Sequence, residues 1–194
     1  MTRRRAIFMD RDGTVCEEVG YVNHLDRIRL LPRSAAAVRL ANEAGFQTVI
    51  VTNQAGVARG YFDEDLVHDV HDAVRRQLAE GGARVDGIYY CPHHPEVGAA
   101  PYRAECDCRK PKAGMLLRAR EEMGIDLAAS YMVGDSVKDL GAGRAVGATT
   151  VLVLTGYGRG EFQHQSHRWT VHPDHVSEDL LDAVQWILAR EERP

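Results

Sequence analysis

Two aspartates stand two residues apart in Asp10-Arg11-Asp12-Gly13-Thr14, directly after the apolar run Ala6-Ile7-Phe8-Met9. Carboxylates so spaced at the mouth of a buried strand suit phosphoryl transfer: one attacks phosphorus, the next handles the leaving-group proton, and both help hold a divalent metal. Alone, such a pair could equally be a solvated turn, so the rest of the chain decides. Thr52-Asn53-Gln54-Ala55-Gly56 follows Val49-Ile50-Val51 and offers a hydroxyl, two side-chain amides and backbone N–H groups left accessible by a glycine. That set fits the non-bridging oxygens of a phosphate. In Arg109-Lys110-Pro111-Lys112, Lys110 is expected to balance the nucleophile and a phosphate dianion, and Arg109, a planar fork of donors, to grip a second phosphate or a sugar oxygen. Met132-Val133-Gly134-Asp135 ends another apolar run with an acid, and Asp139 follows one helical turn later, placed to orient or cap. Asp10 and Asp135 supply the hard oxygens that Mg²⁺ prefers.

Short apolar or β-branched runs, expected as strands, occur at 6–9, 47–52, 87–91, 131–134 and 149–154. Helical patterns fall between them at about 33–44, 63–80, 113–123 and 137–146, with another at 177–190. Asp63 and Ser177 are expected N-caps, and Gly45, Gly81-Gly82 and Gly124 expected C-terminal stops. Arg168-Trp169-Thr170-Val171 reads as a last edge strand. This alternation predicts an α/β, Rossmann-like three-layer sandwich whose mainly parallel sheet carries helices on both faces and binds ligands beyond the strands' carboxyl ends. Asp10, Thr52, Cys91 and Asp135 all stand at such ends, so residues far apart in sequence should gather on one edge. No insertion is long enough for a large cap domain, and residues 1–194 read as one domain.

The chain has 194 residues, 24 Lys and Arg against 28 Asp and Glu, a net charge of -4, and 44% hydrophobic residues. That balance argues against nucleic acid as a partner. The apolar run after Arg3-Arg4-Arg5 stops at Asp10, too short for a signal or a membrane span, so a cytoplasmic location and no membrane partner are expected. In a reducing compartment Cys91, Cys106 and Cys108 read as thiols or metal ligands. With an adjacent imidazole they suit tetrahedral Zn²⁺, which would give a Pro- and Gly-rich loop the core it lacks. The spacing alone also fits incidental thiols and does not choose between His93 and His94. Cys16 reads as a packed thiol, and His68 and His71 as parts of a solvated helix face. The histidines after Gly160 have no regular spacing.

Taken in order, Asp10-x-Asp12-Gly-Thr, Thr52-Asn53, Lys110 and Gly134-Asp135-x-x-x-Asp139 resemble the four motifs of the haloacid dehalogenase superfamily of phosphohydrolases. Gly20-Tyr21-Val22, the stretch 52–60, Cys91-Pro92-His93-His94-Pro95 and Cys106-Asp107-Cys108-Arg109-Lys110-Pro111 resemble its heptose bisphosphate phosphatase family, with histidinol-phosphate phosphatases as near relatives. The resemblance implies catalysis by Asp10, Asp12, Thr52 and Lys110. It implies substrate contacts from Asp10, Arg11 and Asp12, from Glu18-Val19-Gly20-Tyr21, from Thr52-Asn53-Gln54-Ala55 and from Arg109 and Lys110. It implies Mg²⁺ on Asp10, Asp12 (through its main-chain carbonyl) and Asp135, and structural Zn²⁺ on Cys91, His93, Cys106 and Cys108. Ser136 stands where some relatives carry a lysine. The expected partner is a small phosphorylated sugar, acted on by a monomer; the alternatives are histidinol phosphate and a catalytically silent zinc-stabilised binding domain.

Overall fold

A computed structural model describes residues 4–192. The apolar runs form strands: β1 (Ala6–Met9), β2 (Gln47–Asn53), β3 (Gly87–Cys91), β4 (Tyr131–Gly134) and β5 (Thr149–Val153), joined by β6 (His175–Ser177). All six lie parallel in the order β3-β2-β1-β4-β5-β6. Side chains alternate across the sheet. Ile7 and Met9 join the core under α1 (Ser34–Glu43), α2 (Glu64–Glu80) and α6 (Leu180–Glu191), while Ala6 and Phe8 join the core under α3 (Gly114–Met123) and α4 (Val137–Arg144). Helices therefore cover both faces, as continuous apolar strands require. Each large side chain so buried contributes about 1.5–3 kcal/mol.

Order along the sheet reverses at β1, between β2 and β4, so the loops after β1 and β4 diverge and leave a crevice beyond their carboxyl ends. Both loops carry aspartates. Before β1, Arg5 lies over the Phe46 ring and pairs with Glu191; Arg3 lies outside the described residues. No described helix is long and apolar enough to cross a membrane.

Several expectations shift. Asp63 caps α2 through the Leu66 N–H, but Ser177 ends β6, and the cap of α6 is Asp179, which accepts from the Asp182 N–H. The edge strand is His175–Ser177, not 168–171: Ser166–Arg168 forms a 3₁₀ turn, and Asp174 instead binds the Thr150 N–H and leads the chain into pairing with β5. An unforeseen helix, α5 (Gly158–Gln165), follows β5. Gly82 and not Gly81 takes the left-handed backbone after α2. His71 faces the core, whereas its neighbour one turn back, His68, is exposed.

Candidate active site

The loop after β1 turns sharply back, with Arg11 carbonyl accepting from both Val15 and Cys16 N–H. Gly13 makes the turn possible. It has φ +81°, and a Cβ there would lie 2.0 Å from a carboxylate oxygen of Asp135. The two loops that hold Asp10 and Asp135 thus touch, as the switch-point rule predicts.

Asp10, Asp135 and Asp139 present carboxylate oxygens within 4.8 Å of one another. Lys110, 3% exposed, reaches in from the loop after the cysteine-rich segment, its Nζ 2.9 Å from Asp10 Oδ1, 2.6 Å from Asp139 Oδ1 and 2.8 Å from the Val51 carbonyl. Asn53 fixes that lysine. Its Oδ1 accepts from the Lys110 N–H at 3.0 Å and its Nδ2 donates to the Lys110 carbonyl at 3.1 Å. The Asn53 amide, expected on a phosphoryl group, is therefore committed to the lysine's backbone. Asp139 both caps α4, in a reciprocal box with Ser136, and anchors Lys110.

Electrostatics mark the cluster as short of positive charge. Burial, together with Asp139 and Asp12, outweighs the attraction of Lys110 and raises the Asp10 carboxyl to about 7. Burial first, then Asp10 and Asp139, raises Asp135 to about 9. Lys110 is held protonated: burial works against its charge, but Asp10 and Asp139 outweigh it. Asp135 Oδ2 accepts from the Tyr157 N–H at 2.8 Å and Asp10 Oδ1 from the Arg11 N–H at 2.7 Å. Among the described residues the other oxygen of each makes no hydrogen bond, so this donor set fits one hard divalent cation.

A cavity of about 460 Å³ opens over these groups. It is lined by the expected Asp10, Asp12, Glu18, Gly20, Tyr21, Thr52, Asn53, Gln54, Ala55, Arg109, Lys110 and Asp135. Two expected substrate contacts are absent from it. Arg11 turns its side chain onto Asp12, and Val19 packs against the core beneath the loop. Tyr157 and Glu161, from the loop and helix after β5, and Ser136 and Lys138, from the start of α4, join the lining unforeseen. Glu161 accepts from Ser136 Oγ at 3.3 Å and from the Val137 N–H at 3.1 Å, filling the helix end where relatives were expected to place a lysine. The strand-end rule applied to β5 would have found this segment.

Cys91, His93, Cys106 and Cys108 also converge, their ligand atoms within 4.8 Å of one another. Sulfur separations are 3.5 Å for Cys91 to Cys106 and 3.3 Å for Cys106 to Cys108, and His93 Nδ1 lies 3.5 Å from the Cys108 sulfur. A tetrahedron with metal–sulfur bonds of about 2.3 Å has sulfur–sulfur edges of roughly 3.8 Å, so the four groups fit a closed zinc site with little movement. The two adjacent histidines differ in what they face. His94 Nδ1 accepts from the Glu96 and Val97 N–H groups, while His93 faces the sulfurs. Tyr102, beside the His93 ring, donates to Glu64 of α2 at 2.7 Å and ties the loop down. Arg109 follows Cys108 and donates to the His93 carbonyl at 3.2 Å, so the cluster sets where Arg109 and Lys110 begin.

A haloacid dehalogenase hydrolase-like family model matches residues 107–183. The chain is 47% identical over 152 residues to the D-glycero-beta-D-manno-heptose-1,7-bisphosphate 7-phosphatase of Yersinia pestis, covering 78% of this chain and 81% of that one. It is 41% identical over 192 residues to the D-glycero-D-manno-heptose-1,7-bisphosphate 7-phosphatase of Thermosynechococcus vestitus, covering 95% of each. A solved D,D-heptose 1,7-bisphosphate phosphatase from B. bronchiseptica, complexed with magnesium and phosphate, superimposes with a TM-score of 0.84 at 35% identity, covering 96% of this chain and 99% of that one. With relatives this similar over most of its length, the chain belongs to the haloacid dehalogenase superfamily of phosphatases, in the branch of the D-glycero-D-manno-heptose 1,7-bisphosphate 7-phosphatases.

Proposed function

We propose that this chain is a magnesium-dependent phosphomonoesterase that removes the 7-phosphate of D-glycero-D-manno-heptose 1,7-bisphosphate through an aspartyl-phosphate on Asp10. The observation that carries the reading is the meeting of Asp10, Lys110 and Asp135 beyond one edge of the sheet, in a chain whose relatives bear that substrate in their names. In the first step an Asp10 oxygen bonds to phosphorus, the phosphorus–sugar oxygen bond breaks, and the Asp12 carboxyl gives its proton to the departing oxygen. In the second, water attacks phosphorus and gives a proton to Asp12, the Asp10–phosphorus bond breaks, and inorganic phosphate leaves. Lys110 and the Thr52 hydroxyl face the phosphoryl oxygens and stabilise the charge that develops there.

A magnesium ion held by Asp10, the Asp12 carbonyl and Asp135 would neutralise phosphoryl charge that the carboxylates otherwise repel. Zinc on Cys91, His93, Cys106 and Cys108 takes no part in the chemistry and keeps the loop that delivers Arg109 and Lys110 in place. Arg109, half-buried at the cavity wall, is assigned to the substrate's second phosphate. We take residues 1–194 as a single, monomeric, cytoplasmic domain without a large cap, so specificity falls to the loops around the cavity. The test compares steady-state turnover of the two heptose bisphosphate anomers with histidinol phosphate. One anomer should be preferred well above histidinol phosphate, and Asp10→Asn should lower its turnover by at least ~10⁴-fold, as loss of other nucleophiles does. Equal, poor turnover of all three compounds rejects the substrate; undiminished turnover by Asp10→Asn rejects the nucleophile.

A further inference from the structure

We propose that the Arg11 side chain is a positioning residue that acts on Asp12 and never on the substrate. Although it stands between two residues of the proposed reaction centre, its side chain is 2% exposed and lies outside the cavity lining. Its guanidinium forks onto its neighbour, Nε donating to Asp12 Oδ1 at 3.0 Å and Nη2 to Oδ2 at 2.8 Å. Gln54 Nε2 adds a third donor to Oδ2 at 2.9 Å and another to Thr52 Oγ1 at 2.8 Å. The three donors take one lone pair of Oδ1 and two of Oδ2, which leaves one position on Oδ1 for the proton that Asp12 gives up, in a side chain that also lines the cavity.

Nothing competes for the fork. The groups around it are Asp10, Cys16 and Glu18 on its own loop and His71 from α2. Among the described residues none of these hydrogen-bonds to the guanidinium. Cys16 is a buried thiol in the core, and the buried His71 ring stays neutral, its Nε2 without a hydrogen-bond partner. A permanent cation that exchanges no proton itself, buried against a single carboxylate in a two-pronged hydrogen bond, fixes the orientation of that carboxylate. The neighbouring backbone adds to this, since the Arg11 carbonyl closes the turn that carries Asp12.

This inference rests on Asp12 serving as the general acid, as proposed above, and the test separates the two claims. Loss of a positioned acid slows cleavage of a sugar ester, whose oxygen needs a proton to leave, far more than cleavage of an aryl ester, whose oxygen leaves as a stable anion. The measurement is the single-turnover rate of ester cleavage by the magnesium- and zinc-loaded protein, with heptose bisphosphate and with p-nitrophenyl phosphate. Asp12→Asn serves as the reference. Arg11→Gln should slow the sugar ester by ~10–100-fold and the aryl ester by less than ~3-fold, the size expected when a catalytic group is misplaced but present. Arg11→Lys, which keeps the charge and loses the fork, should recover part of the difference. If Asp12→Asn discriminates between the esters and both Arg11 variants slow them equally, or slow neither, the positioning role is overturned. If Asp12→Asn itself fails to discriminate, the acid assignment falls and this inference with it. Should Arg11→Gln fail to fold by thermal melting, the same ratio measured on Arg11→Lys decides.

Discussion

Raising the pH from about 6 to about 8 in magnesium-free buffer should weaken what Asp10 and Asp135 contribute to the stability of this protein, and their burial fixes the size of the loss. Asp10 and Asp135 have folded-state values of about 7 and about 9, raised chiefly by burial from an ordinary value near 3.8. Across that window the folded chain holds protons that the unfolded chain has already released, so stability falls as pH rises. A proton bound only in the folded state is worth about 1.4 kcal/mol per pH unit. Asp10 titrates midway and contributes about 1 kcal/mol, whereas Asp135 keeps its proton over most of the window and contributes about 3. His71 works the other way. Burial, then Arg11, holds its imidazole at about 3 against an ordinary 6.5, so its contribution grows with pH, by about 1 kcal/mol over the same range. The carboxylates outweigh His71 by about 3 kcal/mol, or roughly 6–12 °C in Tm for a chain of this size, whereas the thiols of the zinc cluster, Cys108 among them, are deprotonated in the fold and add stability as pH rises. The two acids are close enough to titrate as a pair, so the slope belongs to both together. Thermal melting of zinc-loaded, magnesium-free protein at three pH values reads it as the difference between wild type and Asp135→Asn, which share the same thiols. Saturating Mg²⁺ should flatten the slope by favouring the ionised carboxylates, and Asp135→Asn should remove most of it. A pH slope of Tm that is the same in wild type and in Asp135→Asn would refute the placement of these charges.

Two other perturbations address the remaining groups. Metal analysis should find about one zinc per chain; His93→Ala should lose it and melt at lower temperature, whereas His94→Ala should keep it, and the reverse pattern would reassign the ligand. Lys110→Met leaves Asp10 and Asp139 facing each other without their shared cation. It should lower stability by about 3–5 kcal/mol in magnesium-free buffer, as breaking a buried pair does, with partial recovery on adding Mg²⁺. An unchanged denaturation midpoint would show that the lysine is not buried between the acids.

The elements that position the site were legible because each is marked by a local contrast. An apolar run stops abruptly at Asp10, at Thr52 and at Asp135, and that edge is where a parallel sheet gathers its loops. What escaped depended on contacts between distant segments. Glu161 lies on a helix with Phe162 as its one large apolar residue, and docking against the start of α4 brings it to the cavity. His71 looked solvated because acids surround it in sequence; helical rotation places those acids outward and the imidazole inward, against Tyr90. Ser177 was read as a cap because capping chemistry is local, but pairing with Val153 claimed its backbone and left the role to Asp179. Arg11 shows the same limit more sharply. The family resemblance implied contact with substrate, and nothing in the local sequence says that the guanidinium folds back onto its neighbour.

On the proposed reading, the charges also order the events at the site. Once Asp10 and Asp135 give up the protons that burial lets them keep near neutral pH, the cluster has only the Lys110 ammonium to balance it and opposes the approach of a phosphate dianion. A divalent cation cancels those charges, and Lys110 can then face the incoming phosphoryl oxygens as well as the nucleophile. Phosphate affinity should therefore rise steeply with magnesium concentration, and the metal should bind appreciably without phosphate. Calorimetric titration of inorganic phosphate into magnesium-free and magnesium-saturated protein distinguishes this order from its reverse. Equal phosphate affinity in the two samples would mean that the carboxylates keep their protons until the substrate arrives, and that the cation follows it in.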